Sequence, residues 1–355
     1  MAQLKVAIPV ISLSAHGGVR ILVALANYLA GLDCEVTILL PKGRMSSPYW
    51  VDPKVLVREC GFRIRSKPVS YALFLASLPL YLKHYDVAIP NFFPTFFPSW
   101  LSAKLFRTRF VYFVQDVESK YTGVLGSILN RLCLWTYRHN THAVAANRYL
   151  SGALENISGR PFRYINIGLS EAFFSNLPEA SKKDFDLIYF LRAEPWKQKE
   201  VFFDLLIELR KSVSDLKALC VSQDERLLGM AADAGCATIR PKNDTSLISA
   251  IDSAKVMVMT SSLEGFSLPP LECMARGVPA VTLECGGPSS YIRNGENSFI
   301  VSDIDGLARE ILALLSNSVR YDAISKAAKA DAAAFRNDRG MLEFYTMLKN
   351  EVTGR

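Results

Sequence analysis

Short apolar runs alternate with amphipathic stretches along almost all of this 355-residue chain, and no other feature narrows its fold as much. A run of this kind reads as a parallel strand buried on both faces, and the stretch after it as the helix that returns the chain to the next strand. Residues 4–11 read as a first strand, after which Gly17 and Gly18 open a helical stretch to about Ala30. Residues 35–40, 86–89, 110–114 and 142–146 continue the series. A second series follows Asn166-Ile167-Gly168, with strands at 185–191, 218–222, 238–239, 256–260 and 280–283 and a helix over 200–210. Two series predict two doubly wound domains, 1–170 and 171–334, meeting at a cleft, with ligands outside the carboxyl ends of the strands. Residues 177–183 have linker composition, which puts a hinge within 166–184. Residues 335–355 read as an amphipathic helix able to pack back onto the first domain.

Charge divides the halves. Residues 1–170 hold 19 Lys and Arg against 8 Asp and Glu, net +11, and the remainder 22 against 26, net −4. A basic half predicts an anionic partner (an acidic lipid surface, a phosphate-bearing acceptor or nucleic acid) or a merely solvated surface. No recognised binding motif accompanies it, which argues against nucleic acid. Lys5 interrupts any secretory signal, and the longest apolar stretch, 68–82, contains Ser70, Ser77 and Pro79 and falls short of the ~20 residues that span a bilayer. The expectation is a soluble or peripheral chain. Seven scattered cysteines form no C-x-x-C pair, so neither a zinc site nor a disulfide framework is expected.

The chemistry concentrates in 260–301. A strand ends in a loop with Glu264, Gly265, Phe266 and Ser267, and then Leu268, Pro269 and Pro270 open a helix carrying Glu272. Glycine lets backbone approach a ligand closely, and the unpaired N–H groups of a helix N-terminus suit a diphosphate. Glu264 and Glu272 can accept hydrogen bonds from sugar hydroxyls. The Gly286-Gly287 pair is either a close-approach loop or a plain turn.

The run E-G-F-S-L-P-P-L-E, followed by G-V-P-A-V and G-G-P, resembles the signature of glycosyltransferase family 4. That resemblance spans some forty residues. It implies a GT-B fold of two Rossmann-like domains facing each other across a cleft, a nucleoside diphosphate sugar donor, transfer with retention, and no cofactor or metal. It implies that Glu264 holds the donor sugar, that the amides of Phe266, Ser267 and Leu268 surround sugar and phosphate, and that Glu272 binds the ribose. In I-Y-F-L-R-A-E-P-W-K, Arg192 and Lys197 fit the family's strand-end arginine and lysine, while Leu191 stands where glycine is usual. Lys199 is an alternative to Lys197. Two cations there would stabilise charge on the departing diphosphate.

The first domain matches less closely. His16, Gly17 and Gly18 resemble the family's glycine loop beside donor phosphate and acceptor, with His16 either a proton shuttle or an ordinary loop histidine. Gln115 stands where many members have histidine, and glutamine cannot titrate. The V-Q-D-x-E form is similar to that of a subgroup including rhamnosyltransferases of bacterial surface polysaccharides. Asp116 and Glu118 are then acceptor-side candidates, or structural. The resemblance therefore implies a hexosyl transfer, rhamnosyl or mannosyl, to a glycan or lipid-linked acceptor in O-antigen, capsule or S-layer assembly. The setting would be cytoplasmic, peripheral on the inner face of the membrane. A nucleotide-sugar binder without turnover and a sugar-nucleotide epimerase or phosphorylase of the same fold are the competing readings.

Asp184-Phe185-Asp186 and Asp303-Ile304-Asp305 are D-x-D sequences. The first opens a strand and the second precedes a helix, so neither is expected to hold a metal. Phe92, Phe93, Phe96, Phe97 and Trp100, with residues 68–82, are expected either to form an apolar lip beside Arg63, Arg65, Lys67, Lys104, Arg107 and Arg109 or to be core.

Overall fold

The computed structural model describes residues 3–13, 17–32, 34–43, 49–62, 66–118, 123–139, 142–166, 168–175 and 183–354. His16, Arg63, Arg65 and the linker residues 177–182 lie outside these. The chain divides into two units, Met1–Ile167 with Asp338–Arg355, and Gly168–Asn337.

The first unit begins β1 (Leu4–Pro9), α1 (Gly17–Gly31), β2 (Cys34–Pro41) and β3 (Leu56–Cys60). It continues α2 (Lys67–Leu82), β4 (Val87–Ala88), α3 (Phe93–Leu105), β5 (Arg109–Phe110) and β6 (Tyr112–Val114). Then come α4 (Gly123–His139), β7 (Ala143–Ala145), α5 (Arg148–Ser158) and β8 (Arg163–Tyr164). The strands form ladders β3-β2-β1-β4-β5 and β6-β7-β8, all parallel. The extended run 109–114 joins them. On one side the Val111 and Phe113 amides donate to Ala88 O and Pro90 O. On the other the Tyr112 amide donates to His142 O, while Val114 O accepts from the Ala146 amide.

Successive side chains of such a run point to opposite faces. Tyr112 and Val114 join the core built with Phe74 and Leu78 of α2, Phe93 and Phe96 of α3, Tyr137 of α4 and Leu150 of α5. Phe113, on the other face, meets Phe344, their rings edge to face at 5.2 Å. Of the two readings of this aromatic run, core packing holds for most of it: Phe93 and Phe96 are buried, Phe92 and Phe97 half-buried, and Trp100 alone of the five is exposed. Rings on the inward face of α3 remove more apolar surface from water than an exposed lip would.

The second unit runs β9 (Phe185–Phe190), α6 (Lys199–Ser212), β10 (Ala218–Val221), α7 (Glu225–Asp233) and β11 (Ala237–Ile239). It continues α8 (Asp244–Asp252), β12 (Ala254–Met259), α9 (Leu268–Ala275), β13 (Ala280–Leu283) and β14 (Phe299–Val301). It ends with α10 (Ile304–Ser316) and α11 (Ser318–Ala332), after which α12 (Asn337–Thr353) carries Phe344 in the first unit. Its sheet is parallel throughout in the order β11-β10-β9-β12-β13-β14. Ile188, Met257 and Met259 enter the core on one face, and Leu187, Tyr189, Val256 and Val258 that on the other. This two-sided burial is why the strands read as continuous apolar runs. All seven cysteines are buried free thiols.

Candidate active site

In the second unit the strand order reverses between β9 and β12, where a doubly wound sheet opens a crevice at the carboxyl ends of its strands. The two best sequence motifs leave the sheet at these two strand ends. Arg192 and Lys197 follow β9, and Ser262 to Ser267 follow β12. Hydrogen bonds stitch the ends together. The Tyr189 hydroxyl and Thr260 Oγ1 lie 2.9 Å apart, Thr260 Oγ1 is 3.0 Å from both Lys197 O and Gln198 O, and the Ser262 amide donates to Trp196 O at 2.8 Å.

Within this frame Lys197 Nζ donates to Glu264 Oε1 at 2.5 Å. Lys199 pairs instead with Glu200 on the first turn of α6, so of the two lysines Lys197 is the one beside Glu264. Arg192 is half-buried and forms no hydrogen bond or ion pair with another described residue. An arginine held at a strand end without a carboxylate keeps its donor fork available to an anion.

The Glu264 loop is braced from below. The Glu264 amide donates to Cys285 O at 2.8 Å and Gly287 N donates to Glu264 O at 2.9 Å. A Cβ on Gly287 would sit 2.6 Å from Phe266 N and 2.7 Å from Phe266 Cα. The glycine pair thus serves a close approach of two protein segments. Ser267, at the N-cap of α9, has φ 63°, a left-handed conformation rare for a non-glycine residue. The Tyr291 hydroxyl holds it, donating to Ser267 O at 2.6 Å, and burial pushes that phenol well above its ordinary pKa. Gly265, Phe266, Ser267 and Leu268 therefore form one braced turn into α9, on which Glu272 is buried.

In the first unit, Gly17 and Gly18 open α1 after β1, and Gln115 follows β6. A Cβ on Gly18 would lie 2.7 Å from Gln115 Oε1, so glycine is what lets this side chain reach the start of α1. Gln115 Oε1 is buried with no hydrogen-bond partner among the described residues. Asn91 Nδ2 caps the end of β1 by donating to Pro9 O at 2.7 Å. Glu118 is turned to the start of α3, where its Oε2 accepts from Phe93 N at 2.7 Å while its own amide donates to the Tyr137 hydroxyl. Asp116 Oδ1 accepts from the Val117 amide. Their observed bonds are those of backbone anchors.

One aspartate of each D-x-D sequence is engaged elsewhere. Asp186 binds Lys255 Nζ at 2.9 Å and the Lys217 amide. Asp303 caps α10 through the Gly306 amide, and that bond, with one from Ser302, holds its carboxyl below the usual range. Tyr189, Thr260, Asn91 and Tyr291 were missed by the sequence reading, because their roles are contacts across 24 to 82 residues of chain. For Gly287, the G-G-P signal was visible but ambiguous.

Over 99% of this chain and 100% of theirs, the coordinates match a sucrose-phosphate synthase from Thermosynechococcus elongatus at TM-score 0.81 and 16% identity. They match Anabaena HepE in complex with UDP and glucose at TM-score 0.77 and 16% identity, over 98% of this chain and 100% of that one. The fold is GT-B. Residues 173–331 match the family model of glycosyl transferases group 1. A D-inositol 3-phosphate glycosyltransferase of Acidothermus cellulolyticus is 32% identical over 133 residues, 35% of this chain. The chain spans 30% of that relative's length. The matched stretch of the family model contains Arg192, Lys197, Glu264 and Glu272.

Proposed function

We propose that this chain is a retaining, metal-independent glycosyltransferase that moves a sugar from a nucleoside diphosphate sugar to an acceptor hydroxyl. The observation that carries the reading is the placement of Arg192, Lys197 and the Glu264–Leu268 turn at the ends of two adjacent strands, where the sheet order reverses. The turn offers the Ser267 and Leu268 amides to the diphosphate at the start of α9, where Pro269 and Pro270 have no N–H. Lys197 has three donors, one of which stays on Glu264 while the others reach phosphate. As the anomeric carbon–oxygen bond breaks, both electrons go to the diphosphate, whose growing charge Arg192 and Lys197 stabilise. The acceptor oxygen attacks on the face being vacated and its proton passes to a phosphate oxygen, so no enzymatic base is required. Glu264 holds the sugar and Glu272 the ribose. Gly17 and Gly18 serve the donor phosphate, and His16 and Gln115 belong to the acceptor side.

The complex of the HepE neighbour with UDP and glucose supports a nucleotide-sugar donor, and the V-Q-D-x-E run supports rhamnosyl or mannosyl transfer in bacterial surface glycan assembly at the inner face of the membrane. Product analysis in excess EDTA tests the whole reading. The expected products are free nucleoside diphosphate and a glycosylated acceptor whose anomeric configuration matches the donor's by NMR coupling. An inverted product, an isomerised nucleotide sugar, or activity that returns only with Mn²⁺ or Mg²⁺ would overturn it.

Gly287→Ala should weaken nucleoside diphosphate binding about tenfold, because a clash of this kind costs ~1–3 kcal/mol and is relieved by moving the Phe266 backbone. Calorimetric titration reads this directly. An unchanged affinity would mean that the brace does not shape the donor turn.

A further inference from the structure

Helix α4 is apolar on both sides. Its inner side carries Cys133, Thr136 and Tyr137 into the first unit's core. On its outer side Val124, Leu125, Ile128, Leu132 and Trp135 are 85, 70, 50, 42 and 38% exposed. The spacing 124, 128, 132, 135 is that of one helical stripe, so these residues form a continuous ridge. Trp135 carries the ridge onto α3, where it meets Trp100 edge to face at 6.4 Å, and Leu105 beyond is 63% exposed. Helix α2 packs on α3 in turn and exposes Leu80.

Over these three helices there is no Asp or Glu, while Lys67, Lys104, Arg131 and Arg138 are all exposed. An ordinary solvated helix face mixes both signs of charge with few large apolar groups. Among the described residues no helix is long and apolar enough to cross a membrane, and α4, at 17 residues, carries Arg131 in its middle. Apolar ridge, tryptophans and an acid-free basic surround are the chemistry of a helix lying in a lipid headgroup layer.

We propose that the outer face of α4, continued by α3, docks on an anionic lipid bilayer. Every Lys, Arg, Asp or Glu on these helices is basic, so a second copy laid against the face would meet its own charge, whereas anionic headgroups complement it. This gives the membrane partner of the proposed function a defined surface and rests on that reading only for its biological setting. It shares Trp100, Lys67 and Lys104 with the lip that the sequence offered as one alternative, and adds α4, which that alternative left out.

The test is flotation of the full chain with vesicles of phosphatidylcholine, with and without one third phosphatidylglycerol. Wild type should float with the anionic vesicles and lose them at high salt. Ile128→Ser with Leu132→Ser, and separately Lys104→Glu with Arg131→Glu, should each reduce partitioning about tenfold or more. Ile207→Ser with Val319→Ser, exposed in the second unit, should change nothing. The variants should melt as wild type does, since every altered side chain faces solvent. Equal binding to neutral and anionic vesicles, or apolar variants that bind like wild type, would overturn the proposal. So would self-association abolished by Ile128→Ser with Leu132→Ser and no flotation, because the face would then join copies of the chain. Failure to transfer sugar in the product assay would sink the enzymatic reading and leave this result standing.

Discussion

Alanine at position 192 should lower turnover at saturating donor about 100-fold or more, the loss that follows removal of one preorganised stabiliser of transition-state charge. Arg192 leaves β9 at the point where the sheet order reverses, half-buried and unpaired among the described residues. Having no structural bond to lose, the variant should melt as wild type does, so the loss reports chemistry. Arg192→Lys should recover part of it, as a point charge without the planar fork. The donor's ground state carries less charge on the bridging oxygen than the transition state, so turnover should fall more than donor affinity. Steady-state kinetics with donor and acceptor varied separately make the measurement. Turnover within about threefold of wild type, ~0.65 kcal/mol, would remove Arg192 from the role.

Gly168→Ala should destabilise the second unit by about 3 kcal/mol, at the upper end of what overpacking does. A Cβ there would lie 1.9 Å from Phe335 O and 2.7 Å from its carbonyl carbon, and backbone cannot swing aside as a side chain can. The two segments are paired: Leu169 N donates to Phe335 O at 2.8 Å, Asn337 N to Leu169 O at 2.9 Å, and Arg336 binds both oxygens of Glu171. Separating them would also pull Phe335 from Phe266 and Tyr291, whose rings it meets at 6.1 and 5.9 Å. The disturbance would therefore reach the Glu264–Leu268 turn. For a unit of this size the melting midpoint should fall roughly 6–12 °C. Gly152→Ala, in α5 with nothing within 4 Å of the new methyl group, should leave the midpoint unchanged or slightly raised. Equal midpoints for Gly168→Ala and wild type in scanning calorimetry would contradict the packing.

Much of the candidate site was legible because its parts are local. Glu264 to Leu268 are consecutive, and Arg192 and Lys197 are five apart, so strand-end chemistry showed in the string itself. Lys197 and Lys199 could not be separated that way. The choice depends on Glu264, 67 residues on, which takes Lys197 while Glu200 takes Lys199. The bond that Glu118 makes to the Phe93 amide was hidden for the same reason, since 25 residues separate them.

By itself the sequence determined that this protein is a parallel α/β chain in two series, because a strand covered on both faces must be apolar throughout, a local demand that shows as a run. It also marked the glycine and glutamate positions of the 264–268 turn, where backbone shape acts over a few residues. The tertiary structure decided the strand order that sets β9 beside β12. It buried Phe93 and Phe96, left Val124, Leu125 and Ile128 in solvent, and brought α12 back to rest Phe344 on Phe113. The physical reason is that hydrophobic burial is non-directional. An apolar residue is only worth burying, and which neighbour covers it is settled when all the layers pack at once.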